Sequence, residues 1–315
     1  MNPPAFAALL ASCLPLAHVG PASTNGPVNW SQLVQAWELD PLLLLGLVVS
    51  AWIYRRGVRR LGAELDAGHG LRGWEVAAFW AGWWTLVLAL SSPLHPWGQV
   101  LFAAHMTQHE LLMVGAAPLL VLGRPFLALM FALPRADARQ LSRAARRPAL
   151  RRSWRTLTHP VVAWAVHAAA LWLWHEPVLF QATLVRPWLH DLQHLSFFGS
   201  ALLFWWSALN ARARLQGFGV AVLYLFTTMA HTGLLGALLT FATRPLYPDY
   251  AAGARAWGLT PLEDQQLGGL IMWVPAGFVY MIAGLALVAG WMRRADRAPT
   301  PPAVRRSPGT SAQLG

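Results

Sequence analysis

Two histidine pairs carry the chemistry that this sequence can offer. His105 and His109 stand four residues apart in HMTQHE, and His190 and His194 repeat the spacing in HDLQH. A four-residue step on a helix puts both rings on one face. Such a pair can hold one metal ion, and two pairs on facing helices offer four imidazoles. Imidazole suits copper, zinc, iron and nickel, while a thioether favours cuprous copper. Met106 lies inside the first pair, and His231 lies near the middle of a later apolar run. The candidate ligands are therefore His105, His109, His190, His194, His231 and Met106. Glu110 and Asp191 adjoin His109 and His190 in sequence, so they point off the ligand face. They read as partners to neighbouring helices or as supports of the ligands, and His175 joins them. A bound metal ion, copper among the candidates, is one reading of this set. Haem, ligated axially by facing histidines such as His109 and His231, is one alternative and needs an apolar slot between them. A metal-free scaffold, whose histidines only bond across helices and which binds a partner subunit, is the other. Two other histidines read differently: His167 as a hydrogen bonder between helices, and His95, between Pro93 and Pro96, as a loop residue.

These side chains must be positioned by membrane helices. The chain has 315 residues, of which 56% are hydrophobic and 12% charged. A soluble domain carries roughly 25% charged residues. Seven apolar runs of suitable length fall at about 38–54, 74–91, 99–122, 160–176, 189–209, 218–241 and 266–291. The expected fold is an all-α polytopic transmembrane bundle of about seven spans. The piece 123–134 is apolar but too short to cross, and reads as interfacial or re-entrant.

All 24 basic residues are Arg, and 21 of them fall on alternate loops between these runs. The other loops hold Arg186, Arg244 and Arg255. The positive-inside rule then puts the N-terminus outside and the C-terminus inside. It also places the paired histidines and His175 in the outer half of the bilayer. The net charge of +11 is thus a matter of topology and lipid headgroups, and no nucleic-acid face is implied. The lone cysteine, Cys13, excludes an internal disulfide and a Cys-rich metal knuckle. No phosphate-binding loop and no nucleophile with a positioned base occurs, so the chain does not read as an enzyme.

Three segments follow. Residues 1–36 form a lead-in with an apolar stretch at 5–17, resembling a signal segment or a lipoprotein box ending at Cys13. Residues 37–292 form the membrane domain, and 293–315 a disordered cytoplasmic tail. The outer loop 243–265 reads as a structured cap. Its Glu263, Asp264 and following Gln266 open the last span, either complementing the helix dipole or forming an acidic gate above the histidines.

HMTQHELLMVGAAPLLVLG at 105–123, HTGLLGALLTF at 231–241 and GLTPLEDQQLGGLIMWVPAG at 258–277 resemble the multi-span CtaG-type cytochrome c oxidase assembly factors. The resemblance covers roughly 35–291. It implies a bacterial cell-membrane protein that supports maturation of a haem–copper oxidase and handles copper. An oxidase subunit, membrane lipid and a copper donor protein are the implied partners. On the motifs themselves the resemblance carries over His105, His109, Glu110, His231, Glu263, Asp264 and Gln266. His190 and His194 rest on spacing.

Overall fold

The computed structural model describes Trp37 and residues 40–64, 70–210 and 218–295, and these form helices without strands. The expectations for 1–36 and 296–315 lie outside the described residues. Proline punctuates the chain. Helices α1 (Pro41–Glu64), α6 (Pro125–Ala132), α8 (Pro148–Leu157), α9 (Pro160–Trp174), α10 (Pro177–Val185), α11 (Pro187–Asn210) and α14 (Pro261–Ala295) each open on one. Proline there gives up an N–H that a helix start leaves unbonded anyway, and its φ is already helical. Asp40 caps α1 by accepting from the Leu42 amide at 2.7 Å.

Between these lie α2 (Gly73–Ser91), the short α3 (Leu94–Gly98), α4 (Phe102–Glu110) and α5 (Ala117–Leu122). Helices α4 and α5 are joined by a π-helical turn, Leu111–Ala116. Trp205 fastens that turn by donating its indole N–H to the Met113 carbonyl at 3.0 Å. The remaining elements are α7 (Arg135–Ala145), α12 (Phe218–Thr240), a 3₁₀ turn at Pro248–Tyr250 and α13 (Ala251–Ala256).

Three helices are each long and apolar enough to cross a membrane: α1, Gly219–Thr240 of α12 and Pro261–Arg293 of α14. Two bent pairs raise the number to five if each is one span: Phe102–Leu122 with α6, at 53°, and α8 with α9, at 63°. The short apolar piece expected at 123–134 is α6, turned at Arg124, whose φ of 50° is left-handed. The run expected at about 160–176 is helical to Trp174, and the chain restarts as α10 at Pro177.

Packing runs through small residues, as it does where lipid removes the hydrophobic drive between helices. Helices α12 and α14 meet at Gly236 and Gly269, where a side chain on either would strike Trp273 or Thr240. Helices α1 and α6 meet at Gly57, over the Ala128 carbonyl. Tyr54 stacks on Phe79 of α2 and donates to the Gly123 carbonyl at 2.9 Å, so α1, α2 and the α5–α6 bend lock together. Large apolar side chains such as Leu42, Val178 and Phe241 face outward, as lipid contact requires.

Gly57→Ala should therefore destabilise the α1–α6 contact by about 1–3 kcal/mol through overpacking. Gly62→Ala, where nothing lies within 4 Å of the added carbon, should not. Melting curves of the detergent-solubilised variants decide this; equal melting of the two would refute the close contact.

Candidate metal centre

Helix α4 presents His105 and His109 on one face, fully buried, with ring centroids 4.2 Å apart. Helix α11 presents His190 and His194, also buried, 4.1 Å apart. The two faces meet. His109 lies 5.2 Å from His194, and His105 lies 5.3 Å from His190 and 6.0 Å from His194. One nitrogen each from His105, His109 and His194 can be chosen so that all lie within 4.8 Å of one another. Phe180 at 5.1 Å from His105 and Phe197 at 4.6 Å from His109 wall the group off.

The hydrogen bonds define what these nitrogens can do. His105 Nδ1 lies 3.1 Å from the Gly98 carbonyl. A carbonyl only accepts, so this nitrogen carries the proton and Nε2 keeps its lone pair. That arrangement, a carbonyl fixing the tautomer from behind, is how metal-ligating imidazoles are usually held. Nε2 faces the Gln193 side-chain oxygen at 3.3 Å, while the Gln193 amide nitrogen has no partner. Two acceptors thus face each other, a conflict that a turned amide or a cation resolves. His109 is more telling: neither of its buried ring nitrogens has a hydrogen-bond partner. His194 Nε2 is likewise without one. Orphaned buried polar atoms are uncommon in folded proteins because each costs free energy. Three imidazoles with nitrogens within 4.8 Å of one another, two of them bearing unpartnered nitrogens, fit a metal ion.

Support comes from several elements. The Asp264 carboxylate, buried at the start of α14, accepts from the backbone N–H groups of Phe102 at 2.8 Å and Ala103 at 3.0 Å. Those are unbonded donors at the N-terminus of α4, so Asp264 caps the helix that bears His105 and His109. Glu263 is exposed and forms a reciprocal cap with Thr260 at 2.7–3.2 Å. Gln265 accepts from the Leu246 N–H at 2.6 Å, and Gln266 donates to the Ala242 carbonyl at 3.2 Å. The acidic motif therefore ties the loop at 242–260 down. In that loop Tyr250 donates to the same Gly98 carbonyl, at 3.1 Å, and Tyr247 to the His175 carbonyl at 2.8 Å. Burial raises the pKa of both phenols above the usual range, with the Asp264 charge adding at Tyr250 and Glu176 at Tyr247. Both therefore stay donors.

Other expected residues lie elsewhere. Met106 packs among Phe102, Phe180, Tyr247 and Tyr250. His231 is half-buried, and its ring contact is Trp164 at 5.3 Å. Asp191 is exposed, and Glu110 has one buried oxygen without a partner. His175 sits one ring behind the group, 6.2 Å from Phe180 and 5.9 Å from Phe197, with Nδ1 on the Leu171 carbonyl and Nε2 unpartnered. His167 bonds across helices to Ser200 at 3.0 Å. His95 is the residue that sequence reasoning missed. Its ring is buried 5.4 Å from His190 and 6.0 Å from His194. Gln108 holds it, donating to His95 Nδ1 at 2.8 Å and to the Ala89 carbonyl at 2.7 Å. The signal available was Gln108 itself, on the same helix as the first pair.

Residues 52–294 match the family described as cytochrome c oxidase caa3 assembly factor. The chain is 26% identical over 288 residues to uncharacterized proteins of Mycobacterium bovis and Mycobacterium tuberculosis, and 25% identical over 287 residues to one of Mycobacterium leprae. Each alignment covers 86% of this chain but 42% of the relative, so the chain spans about two fifths of their length. No solved structure matches.

Asp264→Ala should leave the Phe102 and Ala103 amides unmet and cost about 1–3 kcal/mol, whereas Asp264→Asn, which keeps an acceptor, should cost less. Thermal melting together with limited proteolysis near residue 101 would check this order. Equal stability of wild type and Asp264→Ala would dispose of the capping role.

Proposed function

The chain belongs to the cytochrome c oxidase caa3 assembly factor family, and from that premise we propose that it carries copper to an oxidase subunit on its buried imidazoles. The family assembles cytochrome c oxidase, so an oxidase is the partner in kind. The role is one of carriage and not catalysis. One observation carries the copper reading: ligand nitrogens of His105, His109 and His194 lie within 4.8 Å of one another, and His109 has no other partner for either ring nitrogen.

Charge selects among the metals. The three imidazoles are neutral, and no carboxylate or thiolate belongs to the set. A cuprous ion would leave one positive charge in the apolar interior, a zinc ion two, and the desolvation cost rises steeply with charge. Neutral, exchangeable imidazole ligands suit an ion that must be handed on. His190, with its ring 4.1 Å from that of His194, is the candidate fourth ligand. The rings pack 4.1–6.0 Å from one another, with phenylalanine on their remaining sides, which favours a single ion over a haem macrocycle.

The same reading places the chain in a bacterial cell membrane with seven crossings, counting α2, α4 with α5, α9 and α11 beside α1, α12 and α14. The arginine asymmetry supports an outer N-terminus and an inner C-terminus. The histidines then lie in the outer leaflet, so copper would arrive from a donor protein or the solution on that side. The drop from solution into the bundle exchanges water ligands for imidazoles, and release to the oxidase exchanges them again.

Metal analysis of detergent-purified protein, grown with added copper and paired with an absorption spectrum, tests the reading. Wild type should retain stoichiometric copper and show no haem bands. His194→Ala should weaken binding by at least the roughly 10–100-fold expected for loss of a supporting residue. The His105→Ala/His109→Ala double variant should bind none, and His231→Ala should bind as wild type does. Equal copper in wild type and the double variant would end the proposal. Haem bands lost in the double variant would replace it.

A further inference from the structure

The Arg-rich end of the bundle carries a cleft that the metal centre leaves unexplained. Helix α7 has no buried residue and bears Arg135, Arg139 and Arg143 at four-residue steps, with Arg146 just beyond its end. Four-residue steps put like charges on one helix face, where they repel and destabilise the helix unless something neutralises them. That face lines a cleft of about 1020 Å³ closed on its other side by the ends of α1 and α6. Within it Arg60 is engaged by the Ala132 and Leu133 carbonyls at 3.4 Å, and Arg135 lies 3.9 Å from Glu64. Among the described residues no carboxylate pairs with Arg139, Arg143 or Arg146. The cleft is therefore strongly cationic along one wall.

The opposite wall is apolar. Met130, Phe131 and Leu133 of the α6 end line it, and Ser142 of α7 reaches the Met130 sulfur at 3.9 Å, which seats one helix on the other. Phe126, at the start of α6, is 55% exposed, so this apolar wall continues onto the outward-facing surface of the bundle. We propose that the cleft between α6 and α7 is a binding site for an anionic phospholipid. Its phosphate would sit on Arg139, Arg143 and Arg146, and an acyl chain would run along Met130, Phe131 and Phe126. Guanidinium groups present forked donors that match phosphate oxygens. Basic pockets beside membrane helices take such headgroups. A free phosphate ion would satisfy the arginines and leave the apolar wall bare, and an acidic peptide would do the same. The lipid answers both walls. The bound headgroup would neutralise the repulsion along α7 and hold the α6 bend at the membrane surface. This proposal needs no metal and stands or falls apart from the copper reading.

The test uses the full chain purified in a nonionic detergent, mixed with equal mole fractions of phosphatidylglycerol and phosphatidylcholine, and read by native mass spectrometry. Wild type should retain phosphatidylglycerol in preference. The R139Q/R143Q/R146Q variant should retain at least about tenfold less of it. A control variant, R186Q/R244Q/R255Q, removes the same charge from other loops and should retain it as wild type does. Because α7 buries no residue, the triple variant should melt with wild type. Should it melt early, R143Q alone, with a roughly threefold loss, carries the test. Equal losses in the two triple variants, equal retention of phosphatidylcholine, or displacement of the lipid by an equal concentration of inorganic phosphate would each overturn the proposal.

Discussion

A buried imidazole nitrogen must find a hydrogen, a lone pair or an ion, because the hydrocarbon around a membrane helix offers none. Everything at the histidine-bearing end of this bundle turns on that constraint. His105 and His175 satisfy one nitrogen each on backbone carbonyls, and His95 is held by Gln108. His109 satisfies neither, and His194 leaves Nε2 open. His231, against Trp164, also leaves both ring nitrogens unpartnered. What separates the ligand set is proximity: one nitrogen each from His105, His109 and His194 lies within 4.8 Å of the others. His167, bonded to Ser200 in the same bundle, is the contrasting case.

The supports around the group are arranged so that its geometry does not depend on the ion. Asp264 fixes the start of α4, and Gly98 presents one carbonyl both to His105 and to the Tyr250 hydroxyl of the loop at 242–260. The loop, the last helix and the ligand helix are thereby joined through a few polar contacts in an otherwise apolar region. Fixing ligands on helices, with their partners fixed in turn, is what holds such a set to useful precision. A side chain at Gly98 would crowd the Gln108 amide oxygen at 3.2 Å and the His105 backbone at 3.3 Å.

Much of this was legible in the sequence because it is local. The two histidine pairs follow from helical periodicity, and that periodicity holds wherever a helix forms. The family likeness rests on runs that the structure keeps helical. What failed to show was long-range. Helix α12 is apolar on every side, so nothing in its pattern says which way His231 turns, and it turns to Trp164. His95 reads as a loop residue from its flanking prolines, and only packing of α3 against α4 and α11 brings its ring to His190. The acidic motif at 263–266 reads from the sequence as a complement to its own helix dipole or as an acidic gate. Its work is done by Asp264 through α4, and no spacing rule connects residues 264 and 102.

The π-helical turn at Leu111–Ala116 has a consequence for register. A π turn is an α-helix with one residue too many, and each residue advances a helix by about 100°. The segment before it and the segment after it are therefore out of phase by that angle. Were one residue removed between Leu111 and Ala116, the helix would become continuous, and the imidazole face would swing away from α11 while Ala117–Leu122 stayed in place. The surplus residue thus acts as a phase offset. It lets a single rod serve several partners: before the turn it packs on α14 and turns its imidazoles to those of α11, and after the turn it packs on both α2 and α11.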